Sequence, residues 1–336
     1  MGEFELIERY FKRPAQVSGP AVALGIGDDC ALLQPAPGTQ LAISSDMLVE
    51  GRHFFADVDP ATLGHKALAV NLSDLAACGA KPLAFTLALA LPDANPLWLE
   101  PFSRGLLALA DEHHCALIGG DTTRGPLNIC ITVFGEVPIF NGKSLCLQRS
   151  GAQPGDDIYV SGTLGEARLA LDVLRGTASV PPEVFAKARL RLERPTPRVA
   201  LGMALRGIAT AATDISDGLL GDLGHVLKAS DVGATVHINK TMFLIADYLY
   251  RTWENDIFDR FLTKEQCLTN VMAGGDDYEL AFTAPASKRG AVAAAALNAG
   301  VQTTRIGHID KQPGIRLVDG QGNVQPMRYV SFDHFG

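Results

Sequence analysis

The stretch Gly25-Ile26-Gly27-Asp28-Asp29-Cys30 decides how the rest of the chain is read. Glycines at alternate positions let a backbone turn sharply and come close to a ligand, and here two adjacent carboxylates project from that turn. The spacing begins like a dinucleotide fingerprint, but Cys30 stands where the third glycine belongs. Paired acids at this place would also repel a bare pyrophosphate. A glycine turn bearing acids suits a phosphate only through a metal ion. The stretch therefore reads as the first piece of an acid cluster assembled from distant parts of the chain.

Working outward, the same idea recurs at other element boundaries. Leu41-Ala42-Ile43 reads as a buried strand whose end delivers Ser44, Ser45 and Asp46 together. Apolar residues at helical spacing predict a helix over residues 61–78, closed by Gly79 and Pro82, with Asn71 and Asp74 on one face. An acid among apolar helical neighbours needs a partner or a metal. Ala116-Leu117-Ile118 predicts a short strand opening into a Gly119-Gly120-Asp121-Thr122 turn. In the second half, Thr213-Asp214-Ile215-Ser216-Asp217-Gly218 precedes a helix, so Asp217 is expected as its N-cap, which leaves Asp214 unexplained. Gly274-Gly275-Asp276-Asp277-Tyr278-Glu279-Leu280 repeats the pairing of glycines and acids before a strand.

The whole chain bounds these readings. At 336 residues, 47% hydrophobic and 20% charged, it accommodates two globular domains. A net charge of −8 with no basic run argues against a nucleic-acid surface. The cysteines Cys30, Cys78, Cys115, Cys130, Cys146 and Cys267 form no C-x-x-C pair and read as buried thiols in a reducing compartment. The opening residues lack a signal pattern, and the longest apolar stretch, Leu83 to Leu91, is half a membrane span. A cytoplasmic protein with no membrane partner is expected. Phe4, Ile7, Tyr10 and Phe11 predict a helix over residues 3–12, and Asn95-Pro96 caps another running from Leu97 to about His114. Asn141-Gly142-Lys143-Ser144 imitates the end of a P-loop but lacks its first glycine, since residue 137 is Val137. The turn-forming run from Arg149 to Asp156 marks the domain boundary, giving domains 1–148 and 149–336. Both halves alternate strands with helices, which favours two α/β-type sandwich domains with mixed sheets over a doubly wound fold.

Two uncompensated carboxylates 4 Å apart repel by about 4 kcal/mol at an effective dielectric of 20. A convergent set of Asp28-Asp29, Asp46, Asp74, Asp121 and Asp214-Asp217 therefore calls for cations. Mg²⁺ suits them, because it takes oxygen ligands, keeps several waters and bridges to substrate phosphates, and no His and Cys set for zinc is present. The residues predict a multi-metal, phosphate-handling site without a P-loop. They leave several classes open: a kinase, an ATP-dependent synthetase working through a phosphorylated intermediate, a metal-dependent phosphohydrolase, and a cation-binding protein.

Gly25-Ile26-Gly27-Asp28-Asp29, Ser44-Ser45-Asp46-x-x-Val49-Glu50-Gly51-x-His53-Phe54, Asn71-x-Ser73-Asp74, Gly119-Gly120-Asp121-Thr122, Asp214-x-Ser216-Asp217-Gly218 and Gly274-Gly275-Asp276-Asp277-Tyr278 stand in the order seen in the thiamine-monophosphate kinases. The chain resembles that family from about Gly2 to the Asp333-His334-Phe335 tail. The family belongs to the superfamily of formylglycinamidine cyclo-ligase and selenophosphate synthetase. The resemblance implies two domains, α/β and α+β, each a mixed sheet with helices packed on one face, and a homodimer formed through the N-terminal domain. It also implies direct transfer of phosphate from ATP to thiamine monophosphate. By resemblance, Asp29, Ser44, Ser45, Asp46, Asp74, Asp121, Asp214 and Asp217 match Mg²⁺ ligands. Gly120, Asp121, Arg149 and Ser216 match ATP contacts, and His53, Asp276 and Tyr329 match contacts to thiamine monophosphate. No dedicated catalytic base is implied, since the acceptor phosphate is already an anionic nucleophile. The chain departs from the family in having Ser45 where Thr is common, Asp276 where Glu stands, and Tyr329 where Trp is frequent.

Overall fold

The computed structural model describes residues 2–13, 19–249 and 262–329. Its contacts divide the chain into a first unit, Met1–Leu75 with Ala80–Cys146, and a second, Ala76–Gly79 with Leu147–Gly336.

In the first unit, α1 (Glu3–Tyr10) precedes a short ribbon of β1 (Val22–Leu24) and β2 (Leu32–Leu33). The main sheet follows from β3 (Thr39–Val49), β4 (Lys81–Leu91), β5 (Ala116–Arg124), β6 (Asn128–Phe140) and β7 (Lys143–Ser144). The order is β3-β6-β4-β5, with β7 hairpinned onto β6; β4 and β5 are parallel and the other pairs antiparallel. The connections from β3 to β4 and from β4 to β5 carry α2 (Pro60–Ala77) and α3 (Pro96–Glu112). The side chain of Asn95 accepts from the Leu97 amide at 3.0 Å, the N-cap that Asn-Pro predicts. Leu68, Leu72, Leu99, Phe102 and Leu106 are buried, each contributing about 1.5–3 kcal/mol. The two helices approach so closely that a Cβ on Gly64 would lie 2.1 Å from the Phe102 carbonyl. Asn141 and Gly142 both have positive φ, so the P-loop look-alike is a hairpin turn.

The second unit holds a seven-stranded sheet of β8 (Asp156–Ser161), β9 (Ala211–Ile215), β10 (Gly233–His237), β11 (Glu279–Pro285), β12 (Thr303–Asp310), β13 (Gly314–Val318) and β14 (Val324–Gln325). Their order is β14-β13-β10-β12-β8-β11-β9, and the pairing is mixed, β10 and β13 being parallel. Among the described residues its α-helices are α4 (Glu166–Leu174), α5 (Pro182–Glu193), α6 (Val199–Ala204), α7 (Leu219–Ser230), α8 (Ile238–Thr241), α9 (Lys264–Ala273) and α10 (Arg289–Asn298). One apolar core joins Ile158 and Val160 of β8, Ala234 and Val236 of β10, and Ile306 and Ile309 of β12 to residues of α4, α5, α7 and α9. Both units are thus mixed sheets with packed helices, as expected.

Several local expectations are corrected. Leu41 and Ile43 are not buried: β3 is an edge strand with its alternate side chains exposed. Ser44, Ser45 and Asp46 lie within the strand rather than at its end, and Gly119 through Thr122 continue β5 rather than form a turn. α1 buries Leu6 and Tyr10 but leaves Phe4 exposed. Helix α7 begins at Leu219 with Gly218 as its N-cap, so Asp217 is not the capping residue. Of the cysteines, Cys115 and Cys267 are buried and Cys30 is exposed; burial pushes the Cys267 thiol up to about 11. The Asp333-His334-Phe335 tail lies outside the described residues. No helix among the described residues is long and apolar enough to cross a membrane.

Candidate active site

Period-two alternation sorts the residues of β3 onto two faces. Ser44 and Asp46 point toward α2, where the Ser44 hydroxyl donates to the carboxylate of Asp74. The Asp46 amide donates to Asn71 Oδ1 at 3.1 Å. Asn71, fully buried, also donates through its own amide to the Ala67 carbonyl at 3.0 Å. Asn71 and Asp74 do share one helix face, and that face meets the strand. Ser45 points the other way and bonds across to β6, donating to the Ile131 carbonyl at 3.2 Å and lying 3.0 Å from the Thr132 hydroxyl. The hydroxyls of Ser44 and Ser45 therefore do not converge. Just beyond β3, His53 Nδ1 accepts from the Val49 amide at 3.0 Å, which fixes the ring and directs Nε2 away from that bond.

The opening glycine stretch forms a turn in which Asp28 Oδ1 accepts the Asp29 amide at 2.9 Å. Asp28 shapes the turn, and Asp29 is presented by it. Asp29, Gly120 and Asp121 line one cavity of about 680 Å³ in the first unit. Gly120 has φ +145, and a Cβ there would lie 1.8 Å from the Leu87 carbonyl, so β5 approaches β4 too closely for any other residue. The same cavity carries Asp28, Glu3 and Glu8 against Lys12. A wall of this charge admits a phosphate only together with cations.

In the second unit, the residues after β9 wrap around a carboxylate that sequence reading missed. One oxygen of Asp222 accepts the amides of Ser216, Asp217 and Gly218, each at 3.1 Å. Burial outweighs these three donors and raises the Asp222 carboxyl to about 6, with the charge of Asp217 adding to the shift. The Gly274–Tyr278 segment lies against this turn. The Asp276 amide donates to the Ser216 carbonyl and the Tyr278 amide to the Ile215 carbonyl, both at 2.8 Å. A Cβ on Gly275 would lie 2.5 Å from the Ser216 carbonyl. Asp276 and Tyr278 both adopt positive φ, at 65° and 52°, a conformation that costs non-glycine residues about 1–3 kcal/mol and clusters at ligand sites. Ser216, Asp217 and Asp276 are thereby brought together. Asp214 is buried on β9 beside Leu280 of β11. Arg149 is exposed, its carbonyl accepting from the Ser230 hydroxyl at 3.2 Å. Tyr329 packs half-buried against the helical core.

Behind the Gly274–Tyr278 segment lies a buried ionic network. Asp277 accepts the Gly165 amide at 2.9 Å, and burial pushes its carboxyl well above the ordinary range. Glu279, fully buried, receives Arg191 at 3.1 Å, Arg198 at 2.6 Å and the Ser161 hydroxyl at 2.5 Å. The only sequence signal for it was the acid run from Asp276 to Glu279. Arg191 lies on α5 and Arg198 immediately before α6, and neither carries a sequence signal for its target.

The donors at the proposed metal positions are all oxygens, which fits a hard cation such as Mg²⁺. Among the described residues no group of three or more His, Cys, Asp or Glu side chains is arranged to hold a metal ion. Mg²⁺ characteristically uses one or two carboxylates and completes its shell with water and substrate phosphates. The donor set therefore fits an ion that arrives with a phosphate ligand better than one caged by protein alone.

Residues 27–137 match the AIR synthase related protein N-terminal domain family, and residues 153–320 match its C-terminal domain family. The thiamine-monophosphate kinase of Escherichia coli (strain K12) is 45% identical over 99% of this chain and 98% of its own length. The crystal structure of thiamine-monophosphate kinase from Stenotrophomonas maltophilia K279a superposes with a TM-score of 0.83 at 44% identity, covering 97% of this chain and 98% of that one. The structure of AaThiL complexed with AMPPCP and TMP is similar at a TM-score of 0.74 and 27% identity, covering 90% and 89%. With both domain families matched and this identity sustained along the chain, the protein belongs to the thiamine-monophosphate kinases, phosphotransferase enzymes of the AIR synthase related family.

Proposed function

We propose that the chain transfers the γ-phosphoryl group of ATP to the phosphate of thiamine monophosphate, giving ADP and thiamine diphosphate. The observation that carries this reading is 45% identity over nearly the full length to a thiamine-monophosphate kinase. Similarity to AaThiL complexed with AMPPCP and TMP supports both substrates. In the proposed step an oxygen of thiamine monophosphate attacks the γ-phosphorus in line, and the bond from that phosphorus to the ADP oxygen breaks. The attacking oxygen carries no proton to remove, so positioning and charge neutralisation suffice.

In the first unit, Asp29, Ser44, Asp46, Asp74 and Asp121 are the proposed Mg²⁺-binding residues, with Gly120 and Asp121 against the nucleotide and His53 against thiamine monophosphate. Ser45, whose hydroxyl faces β6, is proposed as a ligand on the family resemblance alone. In the second unit, Asp214 and Asp217 are proposed metal ligands, Arg149 and Ser216 nucleotide contacts, and Asp276 and Tyr329 substrate contacts. Bound Mg²⁺ would screen the phosphates' mutual repulsion and stabilise charge developing on the transferred group. The close approaches at Gly120 and Gly275 bring β5 onto β4 and the Gly274–Tyr278 segment onto the Ser216 turn, and the strained Asp276 carries its carboxylate on a segment braced by Asp277 and Glu279. The exposed edge β3 supports a homodimer formed through this strand, and the lack of a membrane-spanning helix among the described residues is compatible with a cytoplasmic location. The domain assignment 1–148 and 149–336 is supported by the placement of the two family matches.

Purified full-length protein with ATP, Mg²⁺ and thiamine monophosphate should form thiamine diphosphate and ADP in equal amounts. Release of inorganic phosphate without an acceptor would instead mark a phosphohydrolase, and absence of thiamine diphosphate would overturn the assignment.

A further inference from the structure

On the sheet of the second unit, strand alternation places Asp157, His237 and Arg305 opposite the helical core that takes Ile158, Val236 and Ile306. A register shift between Arg305 and Gly307 lets His308 join the same side while Ile309 stays in the core. These side chains line a cavity of about 490 Å³, closed laterally by Lys240 and the Gly320–Gly322 loop. The volume lies within the range of small-molecule sites.

Its charge is lopsided. Four groups on the wall are cationic or can become so: His237, Lys240, Arg305 and His308. Of the two lining acids, Asp157 is shared between Arg305 on the wall and Arg289 outside it, and Asp319 is held within its own turn. Asp157 accepts Arg289 at 2.6 and 2.9 Å as well as Arg305 at 3.0 Å, and chiefly through Arg289 it is held below the usual carboxylate range. Asp319 accepts the amides of Gln321 and Asn323 and the side chains of Asn323 and Gln325, all within its own turn. Behind His308, Asp310 bonds Arg316 and Thr235 and lies 3.2 Å from His308 Nε2. Protonation of His237 is disfavoured, first by burial and then by His308, Arg305 and Lys240. The imidazoles of His237 and His308 lie 5.9 Å apart, so a charge on His308 disfavours one on His237.

We propose that this cavity is a binding site for a phosphate-class anion, either free inorganic phosphate or the phosphoryl end of a small metabolite. Arg305, preset by Asp157, supplies a fixed donor edge; the Lys240 ammonium supplies a second charge; and His237 and His308 add imidazole donors. The cavity belongs wholly to the second unit and includes none of the residues proposed for phosphoryl transfer.

The test follows the ring-proton NMR signals of His237 and His308 in the full-length protein, identified by their loss in His237→Asn and His308→Asn. Titration with inorganic phosphate should shift both signals saturably and raise the pKa of the His237 ring, whereas chloride at matched ionic strength should not. Lys240→Ala, on an exposed side chain away from the proposed transfer residues, should weaken phosphate binding about five- to tenfold while leaving kcat and KM for the transfer reaction within about twofold. Ribose 5-phosphate binding more tightly than inorganic phosphate assigns the site to a phosphorylated metabolite, and equal affinity assigns it to free phosphate. Absence of a saturable shift at millimolar phosphate, or an affinity unchanged in Lys240→Ala, overturns the proposal.

Discussion

The Ser44 hydroxyl on β3 donates to the Asp74 carboxylate on α2, and two residues along the same strand face Asp46 is anchored through its amide to Asn71 on that helix. The helix thus holds the main chain of the strand at Asp46 while the Asp46 carboxylate is not part of that bond. Asp46→Asn keeps the anchoring amide and the shape but removes the charge. Thiamine diphosphate formation should fall by about 100-fold or more, with circular dichroism and the melting temperature little changed. Near-normal turnover would remove Asp46 from the site.

Leu41, Ile43 and Met47 project from the outer face of an eleven-residue edge strand at 45, 61 and 52% exposure. Long apolar edges invite pairing or aggregation unless they are covered, and a second copy of the chain is the proposed cover. Ile43→Lys should convert the protein from dimer to monomer in sedimentation velocity without loss of secondary structure. An unchanged dimer would place the interface elsewhere.

Glu279 is fully buried between Arg191 and Arg198. Removing one cation leaves a carboxylate under-compensated in a low-dielectric interior, so Arg198→Met should cost about 3–5 kcal/mol in urea unfolding. Adding Glu279→Gln to that variant should restore part of the loss, because it removes the stranded charge. If the double variant is no more stable than Arg198→Met alone, the destabilisation is one of packing rather than charge.

Asp222 has a folded-state pKa raised from 3.8 to about 6. The folded state therefore keeps this proton at pH values where the unfolded chain has lost it. The resulting stabilisation is full below about pH 4 and disappears as pH rises through about 6, a swing of about 3 kcal/mol. Asp222→Asn retains an acceptor for the three amides but does not titrate. The melting temperature of the wild type relative to Asp222→Asn should consequently fall between pH 4 and pH 6.5, and parallel profiles would refute the assignment.

Much of the fold was legible because its signals are local. Apolar spacing predicted α2 to within a few residues, Asn95-Pro96 marked the start of α3, and glycines next to acids marked the segments around Asp29, Asp121, Ser216 and Asp276. The errors share one cause. Leu41 and Ile43 read as buried because an apolar run looks the same at the centre of a sheet and at its edge. Asp217 read as a cap because Asp222, the true acceptor, acts back across a turn of the helix.

The chain's order of motifs determined by itself which residue types were available for phosphate chemistry, that the chain forms two mixed α/β units, and which family it belongs to. Those properties depend on composition, periodicity and motif order along the backbone. Only the tertiary structure decided that Ser44 and Ser45 face opposite ways, that Asp28 shapes a turn while Asp29 meets a cavity with Asp121, and that Glu279 is neutralised by two arginines more than 80 residues away. The physical reason is that strand pairing and helix packing set the direction of a side chain and the company of a charge. Both are long-range contacts that no local pattern encodes.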